Sequence, residues 1–262
     1  MSASGRSAAV SISKQQRQDD LAKLIYARGA VRTDELIDLF DVSPMTLYRD
    51  LATLEARRLV RRSRGEVSAL AASMSETPMS FRLIQDRPAK AAIARAAVGA
   101  LADYSTVFID DSSTALHIVD HLDDAAQKTY ITNSLAASRA LSQRPLGKLI
   151  SLGGIYNAQL DAFFGPSATS ELANLRPSAV VVGAASVHNQ AVYHPYADVA
   201  SFKALAMGQA EFSILVVTAV KFTRTSLHKM ADISDFDCVI TDAVTPDDVI
   251  SRLKKETHVI VA

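Results

Sequence analysis

Cysteine is almost absent: Cys238 is the single one among 262 residues, so no internal disulfide can form. It lies beside Val239 and Ile240 in an apolar run, which marks it as a core residue. Glycine and proline are sparse, at 10 and 8 residues, and 48% of the chain is hydrophobic, so a sizeable core is available. No apolar run is long enough to span a membrane, and residues 1–13 have no signal-peptide core. A cytoplasmic protein is expected. No Gly-x-Gly-x-x-Gly follows a strand-like run, so nothing suggests hydride or oxidation chemistry. His117 and His121 stand four apart on a predicted helix, a spacing that can hold zinc, but no further ligand completes the set. Neither a metal nor a cofactor is expected. There is no internal repeat.

Net charge is lacking too, at a formal value of zero, which would ordinarily argue against nucleic acid. The balance is local, however. Arginines cluster in the first part of the chain, while Asp110, Asp111, Asp123, Asp124, Asp235 and Asp237 lie in the second. A basic head on a neutral-to-acidic body suits a regulator.

What is present is concentrated in residues 31–59, VRTDELIDLFDVSPMTLYRDLATLEARRL. The pattern predicts two short helices joined by a tight turn. Thr33 is placed to cap the first, whose apolar face comprises Leu36, Ile37, Leu39 and Phe40. Asp41-Val42-Ser43 breaks the pattern. Ser43 followed by Pro44 then starts the second helix, because the hydroxyl caps free amides and proline tolerates a first turn that lacks partners. Leu47, Leu51 and Leu54 point inward, leaving Met45, Thr46, Tyr48, Arg49 and Thr53 outside. In a helix-turn-helix, the start of the second helix enters the DNA major groove. Arg49 can pair bidentately with guanine, Thr46 can meet a base, and Ser43 with its helix N-terminus can hold a phosphate. Arg57, Arg58, Arg61, Arg62 and Arg64 follow. Residues 59–62, a turn at Ser63-Arg64-Gly65, then Val67 and Leu70 predict a basic β-hairpin, or wing, suited to the phosphate backbone. Candidate DNA contacts are Thr33, Ser43, Met45, Thr46, Tyr48 and Arg49, with Arg61, Arg62 and Arg64 on the wing. The plain alternative is a helical hairpin with solvated arginines.

SPMTLYRDLATLEARRLVRRSRG resembles the winged helix of the DeoR family of bacterial transcriptional regulators. The matching positions are Ser43, Thr46, Arg49 and the pair Asp50-Leu51. Tyr48 stands where the family usually has arginine, and Ser63-Arg64-Gly65 where it has His-Gly-Gly.

In chain order, residues 1–13 are small and polar, with disorder expected. A first helix is predicted over 17–28, with Leu21, Leu24 and Ile25 inward. The expected domains are a winged helix-turn-helix over 14–72, a linker over 73–80 within AASMSETP and its surroundings, and a sensing and oligomerising domain over 81–262. In the latter, β-branched runs at 106–109, 128–131, 148–150, 179–182, 214–217, 238–240 and 258–261 alternate with helical stretches at 89–102, 114–122, 135–143, 167–174, 198–209 and 247–255. Such alternation predicts an α/β fold with a mainly parallel, Rossmann-like sheet.

Ligands on such sheets lie at the carboxyl ends of strands. There the chain places Asp110, Asp111, Ser112, Ser113 and Thr114, then Thr132, Asn133 and Ser134. Gly153, Gly154 and Gly183 follow further strands, and Asp198, Lys203 and Lys221 come later. Hydroxyls and amides at a helix start suit an anion, though simple capping explains them equally, and two aspartates would repel a phosphate. His188 and His194 flank Tyr193 and either line or cover the pocket.

This part is also similar to the sensor domain of the DeoR family, through KAAIARAA, VFIDDSST, ITNSL, LGG, VVGA, the Lys221-Phe222 pair and ITDA. That resemblance implies a fold like ribose-5-phosphate isomerase and a phosphorylated sugar as effector. Asp111-Ser112 replaces the usual Ser-Gly, and Thr218-Ala219-Val220 replaces Asp-Ser-Ser. The expectation is therefore a non-enzymatic, sequence-specific DNA-binding regulator, a repressor of carbohydrate genes, released from operator DNA by a sugar phosphate or related metabolite. A homodimer or homotetramer would match paired half-sites. Two other readings stand beside it: a regulator whose sensor is a ligand-free dimerisation platform, and a sugar-phosphate isomerase. The isomerase is disfavoured because the sequence shows no carboxylate pair held at one strand end.

Overall fold

The computed structural model describes residues 13–57, 59–69 and 76–262. The expectations for residues 1–12, Arg58, Leu70 and 71–75 fall outside that range. The chain divides into two compact units, 1–70 and 71–262.

The first unit begins with α1 (Lys14–Arg28), whose Ser13 hydroxyl accepts from the Gln16 amide, so the helix starts three residues before its expected first residue. Then come β1 (Ala30–Arg32), α2 (Thr33–Phe40) and α3 (Pro44–Ala56). The wing follows as β2 (Val60–Ser63) and β3 (Glu66–Ala69). Leu21, Ile25, Leu36, Leu47, Leu51 and Leu54 are fully buried among these helices. Ser63 pairs with Glu66, leaving Arg64 (φ 40) and Gly65 (φ 83) as a two-residue turn in the left-handed region, where glycine is favoured. Three expectations are corrected. The wing has a third strand, since β1 pairs antiparallel with β3. Thr33 does not cap α2: it is the helix's first residue, and its hydroxyl donates to the Gly65 carbonyl at 3.0 Å, tying the wing turn to α2. Leu39 is exposed, so the apolar face of α2 is narrower than its composition suggests.

The second unit opens with α4 (Met79–Arg82) and α5 (Arg87–Ala100). The linker expected over 73–80 is corrected where it is described: Glu76, Thr77 and Met79 are buried, and the Met79 amide donates to the Gln159 carbonyl. Strands and helices then alternate as β4 (Thr106–Ile109), α6 (Ser113–Val119), β5 (Thr129–Thr132), α7 (Leu135–Ser142) and β6 (Lys148–Ser151). A hairpin of β7 (Ile155–Asn157) and β8 (Ala162–Phe164) leads to α8 (Pro166–Ala173) and β9 (Ala179–Gly183). After β10 (Ser186–His188) and β11 (Ala191–His194) come α9 (Ala197–Gln209) and β12 (Phe212–Val217). The chain ends through β13 (His228–Asp232), β14 (Cys238–Thr241), α10 (Asp247–Leu253) and β15 (His258–Val261).

All seven expected runs form one sheet, in the order β15-β14-β12-β9-β4-β5-β6, with every pairing parallel. Burial on both faces explains their continuous apolar character. Phe108, Val180, Val182, Leu215 and Val239 feed one core, and Val107, Ile109, Val181, Ile214 and Ile240 the other. From β4 the chain runs outward to β6, then returns to place β9 on the other side of β4. The order therefore reverses between β4 and β9, and a reversal opens a crevice beyond the carboxyl ends of the strands. A second sheet, β10-β11-β13, is antiparallel and was not expected.

Candidate functional site

In the first unit most polar side chains of α3 face outward, Asp50 being the buried exception. The Ser43 hydroxyl accepts from the Thr46 amide and bonds the Thr46 hydroxyl at 2.9 Å, so it fixes the helix start. Met45, Tyr48 and Arg49 are exposed and Thr46 is half-buried. The helix is held from behind. Asp50 is buried, with the Arg17 Nε at 2.7 Å from one oxygen and the Gln18 amide donating to the other at 2.7 Å. On the wing, Arg61, Arg62 and Arg64 are all exposed, but Arg62 is already paired with Glu55 at 2.7 Å. Thr33 is buried, so of the nine expected contact residues it is the one turned away from solvent.

In the second unit the loops after β4 and β9 meet at the reversal point. Asp110 accepts the Ser112 amide on Oδ1, and on Oδ2 the Gly183 amide and the Lys203 ammonium, at 2.8, 2.8 and 2.6 Å. Asp111 Oδ1 lies 3.0 Å from the same Nζ. Lys203 reaches them from α9 and is only 3% exposed. Burial alone would lower its pKa, but Asp110 and Asp111 outweigh that and raise it. Burial likewise opposes ionisation of Asp111, while Lys203 holds its pKa below the usual carboxylate range. A carboxylate pair is thus held at one strand end, contrary to the sequence expectation. The separation of 93 residues between Asp110 and Lys203 gave no sign of it.

Beside this group lies a second one that the sequence did not reveal. Glu76 is buried, with Arg82 Nε at 3.8 Å, His194 Nε2 at 3.9 Å and Lys221 Nζ at 4.0 Å. Burial works to raise the Glu76 pKa, but Lys221, then Arg82 and His194, keep it below normal. His194 is driven down to about 4, first by burial and then by Lys203, so it is neutral at pH 7. Its Nδ1 accepts the Tyr196 amide, which leaves the proton on Nε2, toward Glu76. Lys221 falls to about 8 and Lys90 to about 7; burial is the main cause in both, with cationic neighbours adding to it. Arg224 contributes its field to Glu76, Lys90 and Lys221.

Several buried polar atoms here have no hydrogen-bond partner among the described residues: Asp111 Oδ1, Asn133 Oδ1, Ser186 Oγ and Arg82 Nη2. Asn133 follows β5 and donates its amide to the Phe163 carbonyl. The other strand-end hydroxyls work locally. Ser112 caps α6 and Ser134 caps α7, while Thr132 accepts the Ser134 amide. Ser113 and Thr114 are buried in the first turn of α6.

Four expected site residues serve packing or stand aside. A Cβ on Gly154 (φ 138) would lie 2.5 Å from the Phe164 carbonyl oxygen, so this glycine admits β8, and Gly153 donates to Glu171. A Cβ on Gly183 would lie 2.4 Å from Ser112, so glycine there lets the two loops meet. Asp198 is exposed and accepts the Val199 amide, and no bond among the described residues links it to Lys203. His194 lines the group, whereas His188 is exposed. Among the described residues no cluster of His, Cys, Asp and Glu could hold a metal, and no helix is long and apolar enough to cross a membrane.

Comparison with known proteins places both units. Residues 17–72 match the DeoR-like helix-turn-helix domain, and residues 85–243 match the DeoR C terminal sensor domain. The HTH-type transcriptional repressor CsqR of Escherichia coli (strain K12) is 28% identical over 91% of both chains. The glycerol-3-phosphate regulon repressor of the same organism is 28% identical over 91% of this chain and 94% of its own. Ribose 5-phosphate isomerase A from Methanocaldococcus jannaschii superposes on 53% of this chain and 55% of its own at 15% identity, with a TM-score of 0.39. Helix-turn-helix, parallel sheet and matched sequence agree, and the chain belongs to the DeoR family of DNA-binding transcriptional regulators.

Proposed function

We propose that this regulator reads operator DNA with α3 and its wing, and that a small polyhydroxylated metabolite bearing one acidic group releases it. The observation that carries the effector's chemistry is the pairing of opposite needs at one crevice. Asn133 Oδ1 is a buried acceptor without a donor among the described residues, and Asp111 Oδ1 faces only the Lys203 ammonium at 3.0 Å, so hydroxyl groups would be accepted by both. Arg82, Lys221 and Arg224 crowd positive charge beside them, which an acid would neutralise. The loop of Asp110 and Asp111 itself is unsuited to an anion, since it is lined by carboxylates. A phosphorylated sugar or sugar acid fits this division.

Release requires two states with different affinity for the effector. Half-site pairing supports at least a homodimer, and homotetramers meet the same requirement. The two repressors among the relatives support repression, the glycerol-3-phosphate regulon repressor supports control of genes for a phosphorylated carbon source, and such a protein acts in the cytoplasm. The experiment is a panel of sugar phosphates and sugar acids, tested for release of the full chain from DNA of its own promoter region. Release by such compounds, and not by neutral sugars, supports the reading. Release by none of them refutes it.

A further inference from the structure

The seven-stranded sheet ends differently at its two outer strands. β6 opens with Lys148, an exposed charge of the kind that keeps sheet edges from pairing. β15 reads His-Val-Ile-Val, with no lysine, proline or bulge, and it matches β14 residue for residue from His258 to Val261. Its outer side is bare, because β14 is its sole strand neighbour among the described residues. Ala262 turns both its backbone groups inward, donating to the Thr241 carbonyl at 2.8 Å and accepting the Ala243 amide at 2.9 Å. Alternation along the strand therefore turns the N–H and C=O of Val259 and Val261 outward. We propose that β15 pairs antiparallel with β15 of a second copy of this chain, about a two-fold axis at Ile260, so that one sheet runs through a homodimer. The inference rests on the dimer reading above and names its interface within the second unit.

Three features fit a second copy. First, the edge complements itself. An axis at Ile260 sets Val259 opposite Val261 of the other copy, and each such pair exchanges N–H···O bonds in both directions. Second, apolar surface flanks the bare backbone. Val261 is 42% exposed, and Val244, which follows the Ala243 amide bonded to the strand end, is 79% exposed. Third, the charges match. α10 lies on the face of β15 that carries Val259, where Leu253 and Val249 join the same core. Exposed Asp247 and Asp248 open this helix, and exposed Arg252, Lys254 and Lys255 end it, with Glu256 alone of opposite sign among them. Asp248 and Arg252 pair within the helix at 2.8 Å, which leaves Asp247, Lys254 and Lys255 for the other copy. The axis that makes the two strands antiparallel also makes the two α10 helices antiparallel on one face of the sheet. The acidic start of each then lies toward the basic end of the other. A foreign peptide added to the edge would gain the backbone bonds but not this match.

Sedimentation equilibrium of the full chain without DNA reads the association. Val261→Lys puts a charge on the outer edge and leaves the ladder to β14 intact. It should weaken the dimer about tenfold or more, since each lysine would be desolvated by the pairing, with an unchanged circular dichroism spectrum. Asp247→Lys should weaken it less, and adding Lys254→Glu and Lys255→Glu should restore it. In Ile260→Cys the two cysteines would meet on the axis as a non-hydrogen-bonded pair, about 4.5 Å apart at Cα, within disulfide reach. Mild oxidation should crosslink that variant and not the parent chain, whose Cys238 is buried. A dimer that fails to crosslink, or that Val261→Lys leaves intact, is held elsewhere, for instance by the exposed Ile155 and Tyr156 of the β7–β8 hairpin. Edge pairing is then refuted while the dimer reading stands. A chain that stays monomeric both free and on operator DNA overturns the two together.

Discussion

Asp50 in the first unit and Asp110 in the second are equally buried, at 1% exposure each, yet they serve opposite ends. Asp50 locks α1 to the back of α3 so that the working face of that helix can point to solvent. Asp110 belongs to the proposed effector site, buried with Asp111 and Lys203. DNA is too large to be enclosed, so its reader must be convex and preformed. A metabolite is small, and enclosing it lets a few buried charges discriminate strongly. The contrast teaches where each unit is vulnerable: the first through its support, the second through its site.

The largest expected effect follows from that difference. Lys203→Met leaves Asp110 and Asp111 buried without their cation, and removing one partner of a buried pair costs about 3–5 kcal/mol. With two carboxylates stranded, the second unit should melt first and early in calorimetry. An unchanged transition would show that the pair is protonated or solvated. Asp50→Ala should cost less, near or below about 3 kcal/mol, because Arg17 is 19% exposed and can turn to water. It should lower the melting of the first unit and abolish DNA binding, leaving effector binding by the second unit intact. Loss of effector binding as well would break the separation drawn between the two.

These two residues also show how far the sequence could be read. The seven parallel strands were legible because burial on both faces demands unbroken apolar runs such as AVVVG. Likewise, α3 was legible because Ser43 and Pro44 are local signals whose meaning needs no tertiary contact. The sheet of β10, β11 and β13 was not, since HKMAD has neither alternation nor apolar continuity. Asp110, Asp111, Lys203 and Lys221 were picked out individually, but their geometry depends on crossovers spanning most of the domain. Glu76 was hidden altogether. It lies in a small, polar, proline-closed stretch that reads as a linker, and only folding brings it to Arg82, His194 and Lys221.

A middle-sized effect tests the reading face. Arg49→Ala should cost about 1–3 kcal/mol of operator affinity and relax preference at one base pair. Fluorescence anisotropy with a set of singly substituted duplexes measures both. Equal affinity for all duplexes, unchanged from the parent chain, would remove α3 from the groove.

Smaller again is the pH dependence of the second unit. Lys90 and Lys221 titrate near 7 and 8 in the folded chain, against 10.5 for a free lysine. Between those values the unfolded chain carries more protons than the folded one, so stability rises with pH. The gain begins near pH 7 and continues upward. His194, held at about 4 against 6.5, gives the same sign in the acid range, where stability falls as pH drops below 6.5. Anion binding should move the other way and weaken from pH 7 to 9 as the lysines lose charge. Lys90 and Lys221 face each other and Arg82, Asp86 and Arg224, and Lys221 also faces Glu76, so Glu76→Gln should lower the Lys221 pKa and shift the profile toward acid.

The smallest effect separates two neighbouring wing residues. Arg61 and Arg62 are both exposed, but Arg62 is already held by Glu55, which accepts from its Nε at 2.7 Å and from its main-chain amide at 3.2 Å. A cation with a carboxylate partner releases fewer counterions when it meets a phosphate, because part of its charge is already answered. Arg61→Ala should therefore reduce the slope of log affinity against log salt by about 1, while Arg62→Ala reduces it by less. Arg62→Ala should also loosen the wing from α3, which hydrogen exchange at β2 would register. Should the two variants lose equal slope, Glu55 must leave Arg62 on binding.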